Sequence, residues 1–277
     1  MTALRGARLA AATLILVLLT SVAAAQFRQF RRGYGDGPSR VAEFEDFDGS
    51  FQFCRVVFRA DRRGFGNSWS VDSPRADQNL SIRLSELTKT SVGMDADGTP
   101  KHVYIQLSDD TLFRCPFIMM TEVGSAYLDD KEASNLREYL VKGGFLWADD
   151  FWGTAAWEYW EAQLRKALPS GQYPVVELTV DHPMFHTLMA VDHIPQIPSI
   201  NFWGGPGGPT SERGADSAVP HARAINDDHG RIMVLMTHNT DIGDSFEREG
   251  DSRAYFLQFS VQGYALGIDT LIYAMTH

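Results

Sequence analysis

The sequence predicts an α/β fold built on a largely parallel sheet, and three observations carry that expectation. From Phe51 onward, short apolar runs alternate with amphipathic segments, the pattern of successive βα units. The best of these segments is punctuated as a helix should be: Asp129 and Glu132 form a capping box, and Gly143-Gly144 stops the chain. The 277 residues, 44% apolar and 22% charged, are enough for one large core or two small ones.

In chain order, strands are expected at 53–58, 102–107, 117–120, 145–148, 175–180 and 231–236. A helix over 79–88 follows the first strand. The capped helix spans 130–142, with Ala133, Leu136, Tyr139 and Leu140 as its apolar stripe. A third, over 154–168, sets Trp157, Trp160, Leu164 and Leu168 at helical spacing, which reads as core rather than as a ligand platform. The closing helix, 261–275, is apolar nearly all round and therefore buried. Between the last two strands lies a long irregular stretch, 191–230, that contains Gly204-Gly205-Pro206-Gly207-Gly208-Pro209. It lacks the Lys-Ser/Thr of a phosphate loop, and Pro removes N–H groups that a phosphate would need. A surface flap is expected there, with Phe202 and Trp203 folding over the sheet edge.

The beginning of the chain reads differently. Arg5 and Arg8 precede the apolar run from Leu9 to Leu19, and Ala23-Ala24-Ala25 offers a cleavage site, so residues 1–25 read as a signal peptide. Cleavage there removes two Arg and no acid from a chain already at −10, so the exported product is acidic. Residues 26–44, with four Arg among Gly and Pro, read as a flexible basic linker, and 45–277 as the folded domain. The acidic balance argues against a nucleic-acid partner, and no later segment is apolar enough to span a membrane once the signal is removed. Export would permit a disulfide between Cys54 and Cys115, but both lie in or beside strand-like runs, and buried thiols are the favoured reading.

Ligands of an open parallel sheet bind beyond the carboxyl ends of its strands, so the polar residues just after each apolar run are the candidate site. These are Thr121, Glu122 and Gly124; Asp149 and Asp150, with Trp152 and Gly153 beyond them; Asp181 and His182; and His238. Each has a plainer reading. Asp149 and Asp150 could cap the helix starting near Thr154, and Asp181 could cap the turn opened by His182-Pro183. His182 and His186, four residues apart, could share a metal ion, although the Glu of H-E-x-x-H is missing. Asp241, Asp244 and Glu247 read as a solvated loop without the spacing of a calcium loop. No cofactor motif is evident. There is no G-x-S-x-G elbow, and neither Cys lies on a strand-turn-helix corner.

Several of these stretches carry a resemblance. Cys115-Pro116-Phe117-Ile118-Met119-Met120-Thr121-Glu122, Gly143-Gly144-Phe145-Leu146-Trp147-Ala148-Asp149-Asp150 with Gly153, His182-Pro183-Met184-Phe185, and Ala265-Leu266-Gly267-Ile268-Asp269 resemble the bacterial family named domain of unknown function 4159. The resemblance spans about Phe51 to Met275 and implies a three-layer, doubly wound fold of the flavodoxin-like, class I glutamine-amidotransferase-like type, with no established activity. In amidotransferases of that fold a Cys stands on the turn after a central strand. The comparable turn here is Asp149-Asp150-Phe151-Trp152-Gly153, so glutaminase chemistry is not implied. Asp269, where related sequences tend to have Asn, places a carboxyl of unknown partner in the closing helix.

The expectation from sequence is therefore an exported domain that binds a small molecule, a glycan or an envelope protein without a thiol, in the periplasm or outside the cell. The alternative is a hydrolase of a carbohydrate or other envelope substrate that uses Asp149, Asp150, His182 or His186, with or without a divalent metal. A structural part of a larger envelope assembly is a third reading.

Overall fold

The computed structural model of the protein describes residues 41–277. The expected signal peptide and nearly all of the expected linker lie outside them. The folded body runs from Ala42, whose N–H bonds the carbonyl of Tyr104, to His277.

Among the described residues nine strands form: β1 (Phe53–Val56), β2 (Arg59–Ala60), β3 (His102–Ile105), β4 (Phe117–Thr121), β5 (Ala126–Tyr127), β6 (Phe145–Asp149), β7 (Val175–Glu177), β8 (His221–Asn226) and β9 (Ile232–His238). Seven of them make one sheet in the order β3-β1-β4-β6-β9-β8-β7, while β2 and β5 make a small ladder of their own. The first five strands of that order are parallel. At the other edge β8 runs antiparallel to both β9 and β7.

The five principal helices are α1 (Arg75–Leu87), α2 (Asp130–Val141), α3 (Gly153–Ala167), α4 (Ile242–Glu247) and α5 (Val261–Thr276). Because strand side chains alternate between faces, each sheet face builds its own core. Val56, Ile118, Met120, Leu146 and Ala148 pack under α2 and α3 with Leu136, Leu140, Trp160 and Leu164. Phe53, Phe117, Met119, Phe145, Trp147 and Leu235 pack under α1, α4 and α5 with Leu80, Leu84, Phe246, Leu266 and Leu271. The architecture is thus a seven-stranded, mostly parallel sheet between two helical layers. The expected capping box is present at α2, where Asp129 accepts from the Glu132 N–H and Glu132 from the Asp129 N–H. No helix among the described residues is long and apolar enough to cross a membrane.

Three expectations are corrected. The stretch 191–230 is not one irregular flap, because residues 221–226 form β8 inside the sheet. Small Ala222 and Ala224 point into the core while His221 and Arg223 alternate with them, so the strand carries too little apolar signal to stand out beside the Gly-Pro run. Trp203 packs on Tyr255 and Phe259 at ring separations of 5.6 and 5.5 Å, whereas Phe202 stays exposed. Secondly, β7 stops at Glu177, three residues short of the expected end, and this moves everything after it. Thirdly, Cys54 and Cys115 are not thiols: they form a buried disulfide that ties β1 to the residue two before β4. Asp269 also finds its partners, for one of its carboxylate oxygens accepts from the Leu188 and Met189 N–H groups at 2.9 Å.

The disulfide closes a loop of 61 residues, which in the chain-entropy account is worth about 4 kcal/mol. The C54S/C115S variant should lose most of that in urea unfolding, with a steeper slope because the uncrosslinked denatured chain exposes more surface. Reduction of the wild-type chain should reproduce the loss, and equal midpoints would show that the bond contributes nothing.

Candidate functional site

Among the described residues four non-glycine residues have φ in the left-handed region: Asp72 at 65°, Glu122 at 55°, Asp150 at 55° and Asn239 at 63°. Glu122 follows β4, Asp150 follows β6 and Asn239 follows β9, so three adjacent parallel strands each end on such a residue. Left-handed backbone costs a side-chain-bearing residue energy, and it persists where the surroundings over-determine it. The surroundings here are a network of hydrogen bonds. The Glu122 N–H bonds the Asp149 carbonyl, and the Asn239 N–H bonds the Phe151 carbonyl. Asn239 in turn accepts from the Gly153 N–H at 2.8 Å and donates to the Val219 carbonyl.

Above these strand ends lies a cavity of about 310 Å³, walled by Asn67, Asp72, Glu122, Asp150, Glu212, Asp241, Asp244, Glu247 and Arg248, among others. A neighbouring hollow of about 170 Å³ shares Asn67, Glu122, Asp150 and Glu212 with it and adds Phe65, Trp152 and Arg213. A larger hollow, about 810 Å³, sits at the amino ends of the strands by Phe51, Pro116 and Gly144. Its only charged side chains are Arg114 and Lys142, and no acid or imidazole faces it, so the smaller cavity is where chemistry is concentrated.

Asp149 and Asp150, adjacent on the chain, have separate tasks because Asp149 is the last residue of β6 whereas Asp150, beyond it, turns into the left-handed region. Asp149 is fully buried and works structurally: one oxygen accepts from the Thr237 hydroxyl and the other from the Gly243 N–H at 2.9 Å, which fixes the first turn of α4. Burial pushes its pKa up to about 7 against the lowering effect of these donors. Asp150 lines the cavity, with one oxygen taking the Trp152 indole N–H at 2.9 Å. Burial first, then the charges of Glu122, Asp72 and Asp149, hold its pKa well above the carboxylate range.

Asp72 and Asp241 complete the centre. One oxygen from each of Asp72, Asp150 and Asp241 lies within 4.8 Å of the others, and all three residues are no more than 5% exposed. A second grouping, Asp72 with Asp244 and Glu247, adjoins it. Asp72 is shifted up by burial and then by Asp244, with Arg55 opposing, and Asp241 by burial and then by Asp150 and Asp72. Asp72 can approach α4 this closely because residue 243 is glycine, where a Cβ would come within 2.6 Å of an Asp72 oxygen. Asp241 and Asp244, expected in a solvated loop, are buried; Asp241 caps α4 by accepting from the Asp244 N–H at 2.8 Å.

Beneath Asp72 stands Arg55, in the middle of β1 and fully buried. Its guanidinium pairs with Asp77 through both carboxylate oxygens and reaches the carbonyls of Trp69 at 3.4 Å and Val71 at 3.2 Å. The 69–77 segment, including Asp72, is thereby fixed against the sheet. Sequence reasoning missed Arg55 and Asp72. The available signal was a charged residue inside the run Phe53-Cys54-Arg55-Val56, where only a paired charge is tolerated.

Of the residues expected from sequence, Glu122, Asp150 and Trp152 line these hollows, while Thr121, Asp149 and Gly153 stand at the same strand ends without lining them. Thr121 lies at the limit of hydrogen-bond distance from Asp72, 3.5 Å, and Gly124 follows Glu122 in the turn after β4. His238 is near but committed: its ring nitrogens meet the Gly153 carbonyl and Arg223, each at 3.0 Å, and its ring lies against Phe151. Burial, mainly, drops its pKa to about 4, so it stays neutral. Asp181, His182 and His186 are elsewhere. Since β7 ends early, the chain turns back along α5, and His182 packs near Tyr273, whose hydroxyl takes the N–H of Ile232 at the start of β9. Asp181 is exposed and bonds Thr179. Neither His belongs to a group of side chains placed to share a metal ion.

Residues 52–275 match the family described as Domain of unknown function (DUF4159), and the chain belongs to that family. No curated protein matches the chain.

The raised carboxyl groups give a signed expectation. The folded state keeps protons on these groups that the unfolded chain loses near pH 4, so their contribution to stability is fully present below that point and falls as pH rises toward about 7, the value for Asp149 and Glu247. In chelator at pH 7, D150N should therefore raise the urea midpoint by removing a like charge. D149N should lower stability by about 1–3 kcal/mol, because an amide cannot accept from both Thr237 and Gly243. Equal effects of the two substitutions would refute this division of labour.

Proposed function

For this member of the family we propose an exported, non-thiol binding module whose strand-end crevice takes a positively charged group. The observation that carries the reading is the convergence of Asp72, Asp150 and Asp241 on one buried point, with Glu122 and Glu212 in the same wall and Arg248 set to one side. Buried like charges of this number are expensive unless protons or a cation neutralise them. A metal ion or an ammonium group would do so. Divalent-metal binding, for which the sequence offered His182 and His186 only as candidates, is better supported at these carboxylates. Thiol catalysis is not part of the proposal, since both Cys residues are consumed in the disulfide.

The amidotransferase-like, flavodoxin-like assignment of the scaffold belongs to the same proposal. It is supported by Asp150, which stands in the left-handed region between β6 and α3 where amidotransferases of that fold place their Cys. Export is supported by the order of charged, apolar and small residues in 1–25 and by the disulfide, which persists in oxidising compartments.

Two measurements test the proposal. Calcium chloride and spermidine, titrated separately into chelator-treated protein at pH 7, should include at least one that raises the thermal midpoint, and D72N/D241N should abolish the rise. If neither cation acts on the wild-type chain, the crevice is structural. The intact mass of protein from the envelope fraction should start at Gln26; full-length cytoplasmic protein would refute export.

A further inference from the structure

We infer that the large hollow at the amino ends of the strands is a second binding site, which takes a carboxylate with an apolar body and holds it by Arg114 and Lys142. It lies at the opposite end of the parallel strands from the crevice and does not depend on it.

The hollow has the dimensions and the walls of a small-molecule site. Its volume, about 810 Å³, falls in the range of such sites, roughly 300–1,000 Å³. It is walled by the segments that lead into β1, β4 and β6 and by the end of α5. Phe47, Phe51, Phe113, Tyr139 and Met275 make the lining largely apolar. The Tyr139 hydroxyl is spent on the N–H and carbonyl of Phe145, so its ring alone is offered to a ligand. The disulfide bonds Cys115, next to Arg114, to Cys54 in β1, which fixes the Phe113-Arg114 wall to the sheet before any ligand arrives.

Charge selects the occupant. No acid stands in the walls among the described residues, whereas two cations do. Arg114 is exposed, rests on the Phe44 ring at 5.3 Å and has no carboxylate or carbonyl partner among the described residues. A guanidinium keeps its charge and presents a fork that matches a carboxylate. Lys142 lies over the Phe113 ring at 5.2 Å and pairs with Glu138, but both side chains are more than half exposed, and a pair of that kind is weak enough to be shared. Two positive charges against the one negative charge of Glu138 leave a single positive charge, which suits a monoanion.

The hydrogen-bonding groups of the rim agree. The carbonyls of Gly143 and Gly144 are occupied by the Arg231 guanidinium, at 3.3 and 3.0 Å, so they do not repel an anion. The hydroxyls of Thr90 and Ser91 line the hollow and have no partner among the described residues, so they are free to donate. The chain's own 26–40 segment does not suit the hollow, because four Arg against one Asp give it the same sign of charge.

Calorimetry and native mass spectrometry of the whole chain with decanoate and 2-naphthoate, below micelle-forming concentrations, test this beside decanol and decylamine. The expected result is one equivalent per chain of at least one of the two carboxylates, the tighter of them telling an aliphatic body from an aromatic one. Affinity should fall about tenfold in R114Q and rise about threefold in E138Q, which releases Lys142. S91W, at an exposed position of the wall, should block the hollow, and its melting curve checks that it folds. Decanol binding as tightly as decanoate, or decylamine binding more tightly, would overturn the anion. Binding undiminished in both R114Q and S91W would overturn the site, and a dimer that excludes the ligand would overturn it in favour of an interface between copies. Binding of neither carboxylate would overturn the inference outright and leave the cation-binding crevice standing.

Discussion

A guanidinium in the middle of an apolar strand is the constraint around which this molecule is arranged. Arg55 is fully buried, and a buried charge survives only when paired and hydrogen-bonded. Its partner Asp77 lies in α1, and its remaining donors reach the carbonyls of Trp69 and Val71, so satisfying one side chain dictates the path of the whole 69–77 segment. That path carries Asp72 to the ends of the central strands. Removing either member of the pair would cost about 3–5 kcal/mol, and the loss would reach the site as well as the core, since the same guanidinium also opposes the rise in the Asp72 pKa.

The strand ends show how a scaffold spends stability on a site. Glu122, Asp150 and Asn239 occupy backbone geometry that favours glycine, and the acids among them face further acids across a buried cavity. The compensation comes from side chains that never face the cavity. Trp147 donates to Thr237, Thr237 to Asp149, and Asp149 holds the N-terminus of α4 through Gly243. Asp149 thus anchors the turn on which Asp150 is displayed. Two residues of the same type, next to each other, are divided into support and display by the left-handed turn that ends the strand.

Much of the fold was legible because it is encoded locally. The parallel strands β1, β3, β4, β6 and β9 are buried on both faces and read as apolar runs, and the capping box of α2 is written in two residues. What was not legible depends on partners distant in sequence. β8 is held by its neighbours on both sides rather than by its own composition, and the disulfide joins residues 61 apart whose nearness only the strand order reveals. The rule that sites lie beyond strand ends located Glu122 and Asp150. The same rule misplaced His182, because it assumed that the run 175–180 is a full strand, whereas β7 ends at Glu177 and the chain turns away. Asp72 follows no strand at all. It reaches the rim from a loop, and only the buried charge of Arg55 hinted that this loop is fixed.

The bond from the Trp152 indole to Asp150 has a consequence of an optical kind. Indole emission responds to charge placed beside the ring, and this N–H is donated directly to a carboxylate that either bears a proton, stands ionised or faces a cation. Trp152 is also nearly buried, so bulk solvent does little to mask that response. Among the six Trp residues of the chain it therefore serves as a built-in spectroscopic reporter. A difference spectrum between the wild-type chain and W152F would follow the occupancy of the crevice without any attached dye.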